Sequence, residues 1–474
     1  MLFNSISFVF FFLIVTSLYF LLPHKYRWFL LLVASCIFYM AFVPIYILIL
    51  GFTIVIDYYA GIYIENAIGA RRKLLLTVSL VANIGILAVF KYYNFISENL
   101  TNLLQALGLD ISVPLLTILL PIGLSFHTFQ AMSYTIEVYR GNQKAVKEFG
   151  IYSLYVMFYP QLVAGPIERP QNLLYQFYEK HNFDYFRVKE GLKRMLWGLF
   201  KKLVVADRLS LYVDAVYNNI GHHSSSTLIV ATIFFAIQIY CDFSGYADIA
   251  LGSAQVMGFT LMENFKRPYF SKTISEFWSR WHISLSTWFK DYLYISLGGN
   301  RVSVPRWYLN LFIVFVVSGL WHGANWTYII WGALNGIYLV AAIILAKPKA
   351  AFNNWIGITG FPRIYLFVQI VTTFILICFT WIFFRANSIS DAFKIIGRIS
   401  RFEGSLYKNE TMFYGLMAIG ILFISEFVPE YFPQYKLALR SENAAIRIGS
   451  YALIILLILS IGVFDGGQFI YFQF

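Results

Sequence analysis

The sequence predicts an all-α, polytopic membrane protein of about 10–12 transmembrane helices, with re-entrant and interfacial amphipathic helices beside them. Three observations carry this. Of 474 residues 59% are hydrophobic and only 13% charged, against ~25% charged in a soluble domain. Apolar runs long enough to cross a bilayer recur along the chain, and Lys and Arg gather in the short stretches between them. No segment repeats and no inverted-repeat symmetry is visible, so the chain reads as a single integral-membrane domain, residues 1–474.

The first apolar stretch, Ile6 to Leu22, lacks a basic n-region and a small-residue cleavage site, and is expected to stay as a span. His24, Lys25 and Arg27 follow it. Basic loops mark the cytoplasmic side, so this span runs from outside to inside. Spans at Trp28–Phe42 and Ile45–Ile64 return the chain to Arg71, Arg72 and Lys73. A span from Leu74 to Tyr93 leads to Asn94–Ser112, which has two acidic and no basic residues and is expected outside. Val113–Val138 then brings the chain back to Arg140, Lys144 and Lys147.

After Ile151–Ala164 comes GPIERP, Gly165 to Pro170. Two prolines, a glycine and a charge pair cannot face lipid as a helix, so a re-entrant or cavity-lining segment is expected. A mixed-charge amphipathic region runs from there to Lys202. The apolar segment from Thr227 carries Gln238, Asp242, Ser244 and Asp248. Its carboxylates cannot all face lipid, so Gln238 and Asp242 are expected to line an interior cavity, Asp242 equally suiting a paired structural charge.

Between Phe265 and Arg306 the chain is rich in Lys, Arg and Trp. Drawn as one helix, it sets Trp278, Trp281, Leu285, Trp288, Phe289 and Tyr292 on one arc, and Glu276, Arg280, Ser284, Thr287, Lys290 and Asp291 on the other. That pattern predicts an interfacial amphipathic helix with His282 at the edge of its apolar arc. Gly298, Gly299, Asn300 and Arg301 end it in a turn, whose glycines can bring backbone N–H groups near phosphate.

The chain is organised around the 40 residues from Trp307 to Ala346. They are twice the ~20 needed to cross a bilayer, so two spans are expected, broken at Gly319–Asn325. His322 stands in that break. An ionisable group at membrane depth is a candidate functional residue by default, and a hydrogen-bonded structural histidine is the plainer reading. Further spans are expected at Tyr365–Phe384, Met412–Val428 and Ile448–Val463. The basic loop Lys436–Arg447 leaves both termini, and the apolar tail Phe469–Phe474, on the outer side.

The formal net charge of +12 lies in loops between spans. It points to anionic lipid rather than nucleic acid. Cys36, Cys241 and Cys378 are scattered, and the seven histidines make no ligand-spaced pair, so neither a disulfide framework nor a metal site is expected.

The stretches QIYCDFSGYADIALG, ENFKRPYFSKTISEFWSRWHISLSTWFKDYLYISLGGNR, GLWHGANWTYIIWG and YPQLVAGPIERP, with the terminal FIYFQF, are long and specific. On them the chain resembles the membrane-bound O-acyltransferases, in the bacterial branch that acetylates alginate, peptidoglycan and cellulose. The resemblance implies that His322, in WHG, and His282, in RWH, are the catalytic histidines. It implies acetyl-CoA as a cytoplasmic donor substrate with no permanently bound cofactor. It further implies a polysaccharide acceptor, an extracytoplasmic lipase-like (SGNH) partner, and a place in the bacterial cytoplasmic membrane. Asn325 and Trp321 are then placed to support the oxyanion, and Arg280, Lys290 and Arg301 to hold CoA phosphates. Two readings compete: D-alanyl transfer to teichoic acid from a carrier protein, against which the GGNR turn weighs, and a polysaccharide transporter.

Overall fold

In lipid a backbone satisfies its own hydrogen bonds most simply as a helix, and the described residues contain helices and turns without a strand. The computed structural model describes residues 1–117, 121–163, 165–464 and 469–470. Among these, eight helices are long and apolar enough to cross a membrane, and Ile6–Leu21 is a shorter apolar helix. The chain forms two compact units. One comprises Met1–Met195 with Tyr246–Met262, the other Leu196–Gly245 with Glu263–Phe474.

In the first unit, α1 (Ile6–Leu21) and α2 (His24–Met40) are separated by Leu22 and Pro23. The basic knot therefore opens α2 instead of forming a loop, and Arg27 lies over the Tyr19 ring with its guanidinium on the His181 carbonyl. Helix α3 (Ile47–Asn66) packs with α4 (Gly69–Ala106) and α5 (Leu124–Arg140). The expected external loop after Tyr93 is mostly helical: α4 passes through a π-turn at Ala88–Tyr92 and continues to Ala106. Of the expected span Val113–Val138, residues 118–120 lie outside the described residues, and the helix begins only at Leu124. The expected span Ile151–Ala164 is the short helix α6 (Phe149–Met157) and a turn at Tyr159–Leu162, with residue 164 outside the described set.

Three carboxyl groups are buried in this unit: Asp57, Glu168, and Glu137, which faces Arg140 at 3.3 Å. Asp57 on α3 is fully enclosed; it accepts from Ser79 Oγ at 2.6 Å and from Asn83 Nδ2 at 2.8 and 3.0 Å. Glu168 of GPIERP accepts from the Met262 amide, while its own carbonyl takes the Tyr155 hydroxyl at 3.0 Å. The expected protein-buried role of this proline-rich segment holds: Gly165, Pro166, Ile167 and Glu168 are all buried.

The second unit is built on aromatic packing around α12 and α13, reached after α7 (Tyr185–Leu199), α8 (Asp207–Tyr217), α9 (Ser225–Met257), α10 (Ile274–Arg280) and α11 (Ile283–Trp288). Helix α7 starts in the first unit and α9 ends there. Helices α12 (Val304–His322) and α13 (Trp326–Ile344) form a tight hairpin. Small residues let membrane helices approach closely. Here a Cβ at Gly319 would sit 2.3 Å from the Tyr328 carbonyl oxygen, and one at Gly332 would sit 2.3 Å from that of Phe315. Gly332 and Gly336 make a G-x-x-x-G repeat on the contact face. Helices α14 (Pro362–Arg385), α15 (Ile389–Ile399), α16 (Glu410–Tyr431) and α17 (Ala444–Ile461) complete the unit.

Candidate active site

The expected break falls within the predicted stretch. Helix α12 ends at His322, Gly323 is extended, and Asn325 caps α13 by accepting the Thr327 N–H at 2.9 Å. Asn325 Oδ1 is thus engaged by the helix it starts. Helix α12 begins at Val304, and His322 stands ~24 Å along its axis from Arg306 at ~1.5 Å per residue.

His322 is 4% exposed and enclosed by rings. Trp321 lies at 4.9 Å between centroids, Trp331 at 5.0 Å and Phe384 at 5.5 Å, each near perpendicular to the imidazole. Trp331 in turn stacks on Trp381 and meets Trp278 edge-on. Such a cage fixes the ring's plane and keeps water away, conditions under which any hydrogen bond or charge at the imidazole acts strongly.

His282 is brought to the same place. It stands 6.3 Å from Trp321, which separates it from His322, and packs edge-on at 4.6 Å against Phe243 of α9. The continuous amphipathic helix expected here is not formed. The chain breaks between α10 and α11, and His282 occupies the left-handed region at φ 43°. Asn264 holds the break, its carbonyl accepting from the Ile283 amide at 3.0 Å and its Oδ1 from the Ser284 amide at 3.1 Å. A helical wheel assigned Ser284 to the wet arc, yet it is buried together with Trp281, Leu285 and Trp288. The arc failed because the wheel ran through a break that no proline or glycine announces. At 1% exposure, burial pushes the His282 imidazole down to about 3, which leaves it neutral at physiological pH.

Asp242, on α9 one residue before Phe243, lies in a buried ionic group. Lys202 Nζ reaches it at 2.6 Å and Asp207 at 2.8 Å, and the Ile470 amide donates to Asp242 Oδ2 at 2.7 Å. Asp242 is therefore the paired charge that the sequence left as one of two readings, and Gln238 is buried one turn before it. Burial first, and then the nearby Asp242 charge, raise the Asp207 carboxyl to about 7 against the pull of Lys202. One ammonium thus faces two acids, one of which holds its proton more tightly than usual. Lys202 sits on a π-turn, Phe200–Ala206, that turns both it and Lys201 inward. A Lys-Lys pair inside the apolar run LWGLFKKLVVA, with an acid five residues on, was the available signal for it. Of the terminal tail only Phe469 and Ile470 are described; both are buried, Phe469 packing on Phe243 at 5.7 Å.

The basic residues expected to hold phosphates fare unequally. Arg280 is gripped by Glu430 at 2.8 Å and Glu276 at 2.7 Å, and Arg267 shares Glu430 at 2.6 Å, so that cluster is electrically balanced. Lys290 and Arg301 are exposed. In the Gly-Gly turn both amides are used internally, Gly298 to the Ile295 carbonyl and Gly299 to that of Tyr294, while buried Asn310 ties the turn to α12. Those two N–H groups are not presented to an anion. Among the described residues no group of three or more metal-ligating side chains occurs.

His322 and His282 are thus two buried imidazoles against one tryptophan, in an aromatic shell at the end of a helix long enough to span the membrane. The region that contains them, residues 147–386, matches the model of the membrane-bound O-acyltransferase family. The chain belongs to that family and is a multi-pass membrane O-acyltransferase. It is 40% identical over 400 residues to a probable alginate O-acetylase of Pseudomonas aeruginosa, covering 83% of this chain and 74% of that one. A probable alginate O-acetylase of Pseudomonas putida is 36% identical over the full length of both. The peptidoglycan O-acetyltransferase of Helicobacter pylori is 33% identical, over 84% of this chain and 79% of its own.

Proposed function

We propose that this protein, in a bacterial cytoplasmic membrane, moves acetyl groups from cytoplasmic acetyl-CoA toward hydroxyls of an extracytoplasmic polysaccharide, with His322 as general base. The observation that carries the reading is the aromatic enclosure of His322 at the far end of α12 from Arg306. A hydroxyl gives its proton to the imidazole as its oxygen attacks the thioester carbonyl. The tetrahedral intermediate collapses with loss of the CoA thiolate, and that sulfur takes the proton back from the imidazolium. His282, neutral and separated from His322 by Trp321, positions that indole and walls the site. The exposed charges of Lys290 and Arg301 attract the donor's phosphates. The names of the relatives, alginate O-acetylase and peptidoglycan O-acetyltransferase, support a polymer acceptor and acetyl as the acyl group. An extracytoplasmic SGNH-type protein takes the acetyl group on to the polymer, since the loops between helices are short.

The test is acetyl release from labelled acetyl-CoA by purified protein, beside a binding isotherm for the donor. His322→Gln keeps hydrogen bonding but not basicity, and is expected to lose at least ~10²-fold in turnover with donor binding retained, a typical range for a lost general base. His282→Ala should lose less. A His322→Gln protein that keeps most of its turnover makes His322 structural and removes the assignment.

A further inference from the structure

The first unit carries a cavity of about 560 Å³, within the range of small-ligand sites. Its charged lining is unusual. Lys144 and Lys147 supply two ammonium groups, Glu65 and Glu148 two carboxylates, and Tyr175 and Tyr178 aromatic rings. Among the described residues neither lysine pairs with either glutamate. Glu65 instead accepts the Ala145 amide at 3.0 Å, and Glu148 the Tyr178 hydroxyl at 2.9 Å. The loop that bears them is preformed: Tyr58 donates to the Lys147 carbonyl at 2.6 Å, and the Val146 amide donates to the Tyr134 hydroxyl at 2.9 Å.

The depth of this cavity follows from α3. Glu65 is the last residue but one of a helix that spans the membrane, which ends at Asn66, so the cavity lies at headgroup level. Phe149, next to Glu148, is half exposed and packs edge-on against Tyr58 of α3 at 5.2 Å. The charged lining therefore runs directly into apolar, lipid-facing surface.

From the paired but unjoined charges we infer that this cavity binds the headgroup of a zwitterionic phospholipid of the ethanolamine type. Its phosphate meets Lys144 and Lys147. Its ammonium meets Glu65 and Glu148 against the tyrosine rings, which attract cations. Its acyl chains follow Phe149 onto α3. A polyanion such as a nucleotide would set its charges against both carboxylates, and an anionic lipid would leave them without a partner.

The full-length protein in detergent micelles doped with phosphatidylethanolamine or phosphatidylglycerol, analysed by native mass spectrometry, tests this. One ethanolamine lipid per chain should be retained with at least about tenfold preference, a difference of ~1.4 kcal/mol. Glu65→Gln with Glu148→Gln keeps both acceptor oxygens but leaves the lining positive, and should turn the preference toward phosphatidylglycerol. Lys144→Glu with Lys147→Glu lies on exposed side chains and should abolish retention with an unchanged melting midpoint, which keeps the test valid if the first pair fails to fold. Wild-type preference for phosphatidylglycerol, or retention untouched by the lysine pair, overturns the inference. Displacement of the lipid by an equal concentration of glycerophosphoethanolamine also overturns it, because the free headgroup would then be the ligand.

Discussion

Asp57 and Glu168 of the first unit and Asp242 of the second are buried by opposite means. In the first, Asp57 is wrapped by a serine hydroxyl and an asparagine amide, and Glu168 by a backbone N–H. In the second, Asp242 is met by the ammonium of Lys202. Neutral donors suit a carboxyl in either protonation state, so such a site tolerates losing its charge. An ammonium and a carboxylate in a dry interior are tolerable only together, because removing one strands the other. The first arrangement is forgiving and the second is specific. The specific one is found in the unit that also holds the histidines.

The sharpest way to break this contrast is Lys202→Met, which leaves Asp242 and Asp207 facing each other without a cation. We expect a loss of about 3–5 kcal/mol, seen as a collapsed thermal midpoint or failed expression. Adding Asp242→Asn should restore much of it. If the double variant is no better than the single, the ion pair is not what Lys202 contributes.

An intermediate effect is expected from Glu168. Burial, above all, raises its carboxyl from 4.5 to about 7. An acid raised in the folded state stabilises fully below its unfolded value and loses that contribution as pH climbs to the folded one. Thermal stability should therefore fall between about pH 4.5 and 7, by at most about 3.4 kcal/mol at ~1.36 kcal/mol per pH unit. Glu168→Gln should flatten that part of the profile; an unchanged slope would place its origin elsewhere, Asp207 being the next group to substitute.

The smallest change should come from Asp57→Asn. The amide is the same shape and Asn83 can turn to offer its oxygen, so a loss under about 1 kcal/mol is expected. A cost near that of Lys202→Met would show that Asp57 is charged and specifically held, and the contrast between the units would disappear.

What the sequence could reveal follows the range of the interactions. The hairpin of α12 and α13, with its break just after His322, was legible because glycines, an asparagine cap and a change in polarity lie within a few residues. The partners of the histidines were not. Phe384 reaches His322 from α14, and Phe243 reaches His282 from α9; an aromatic in an apolar span carries no mark of the ring it will face. Lys202 was hidden for a different reason. Its π-turn shifts the helical phase, and a period of 3.6 cannot predict which way a residue points beyond such a shift. The left-handed backbone at His282 misled the wheel in the same way. Asp242 was recognised as costly in lipid, but cost alone names no partner.

The three-residue link between α12 and α13 also sets a schedule. Trp321 and Trp331 belong to the hairpin itself, so two walls around His322 exist as soon as that hairpin leaves the ribosome. Phe384 is made some fifty residues after Trp331, roughly 3–10 seconds later at 5–20 residues per second. Until α14 enters the membrane, the imidazole has one open flank. A nascent chain cut short before Phe384 should therefore hold a formed hairpin around an unfinished chamber, and His322 becomes enclosed only when most of the enzyme has been synthesised.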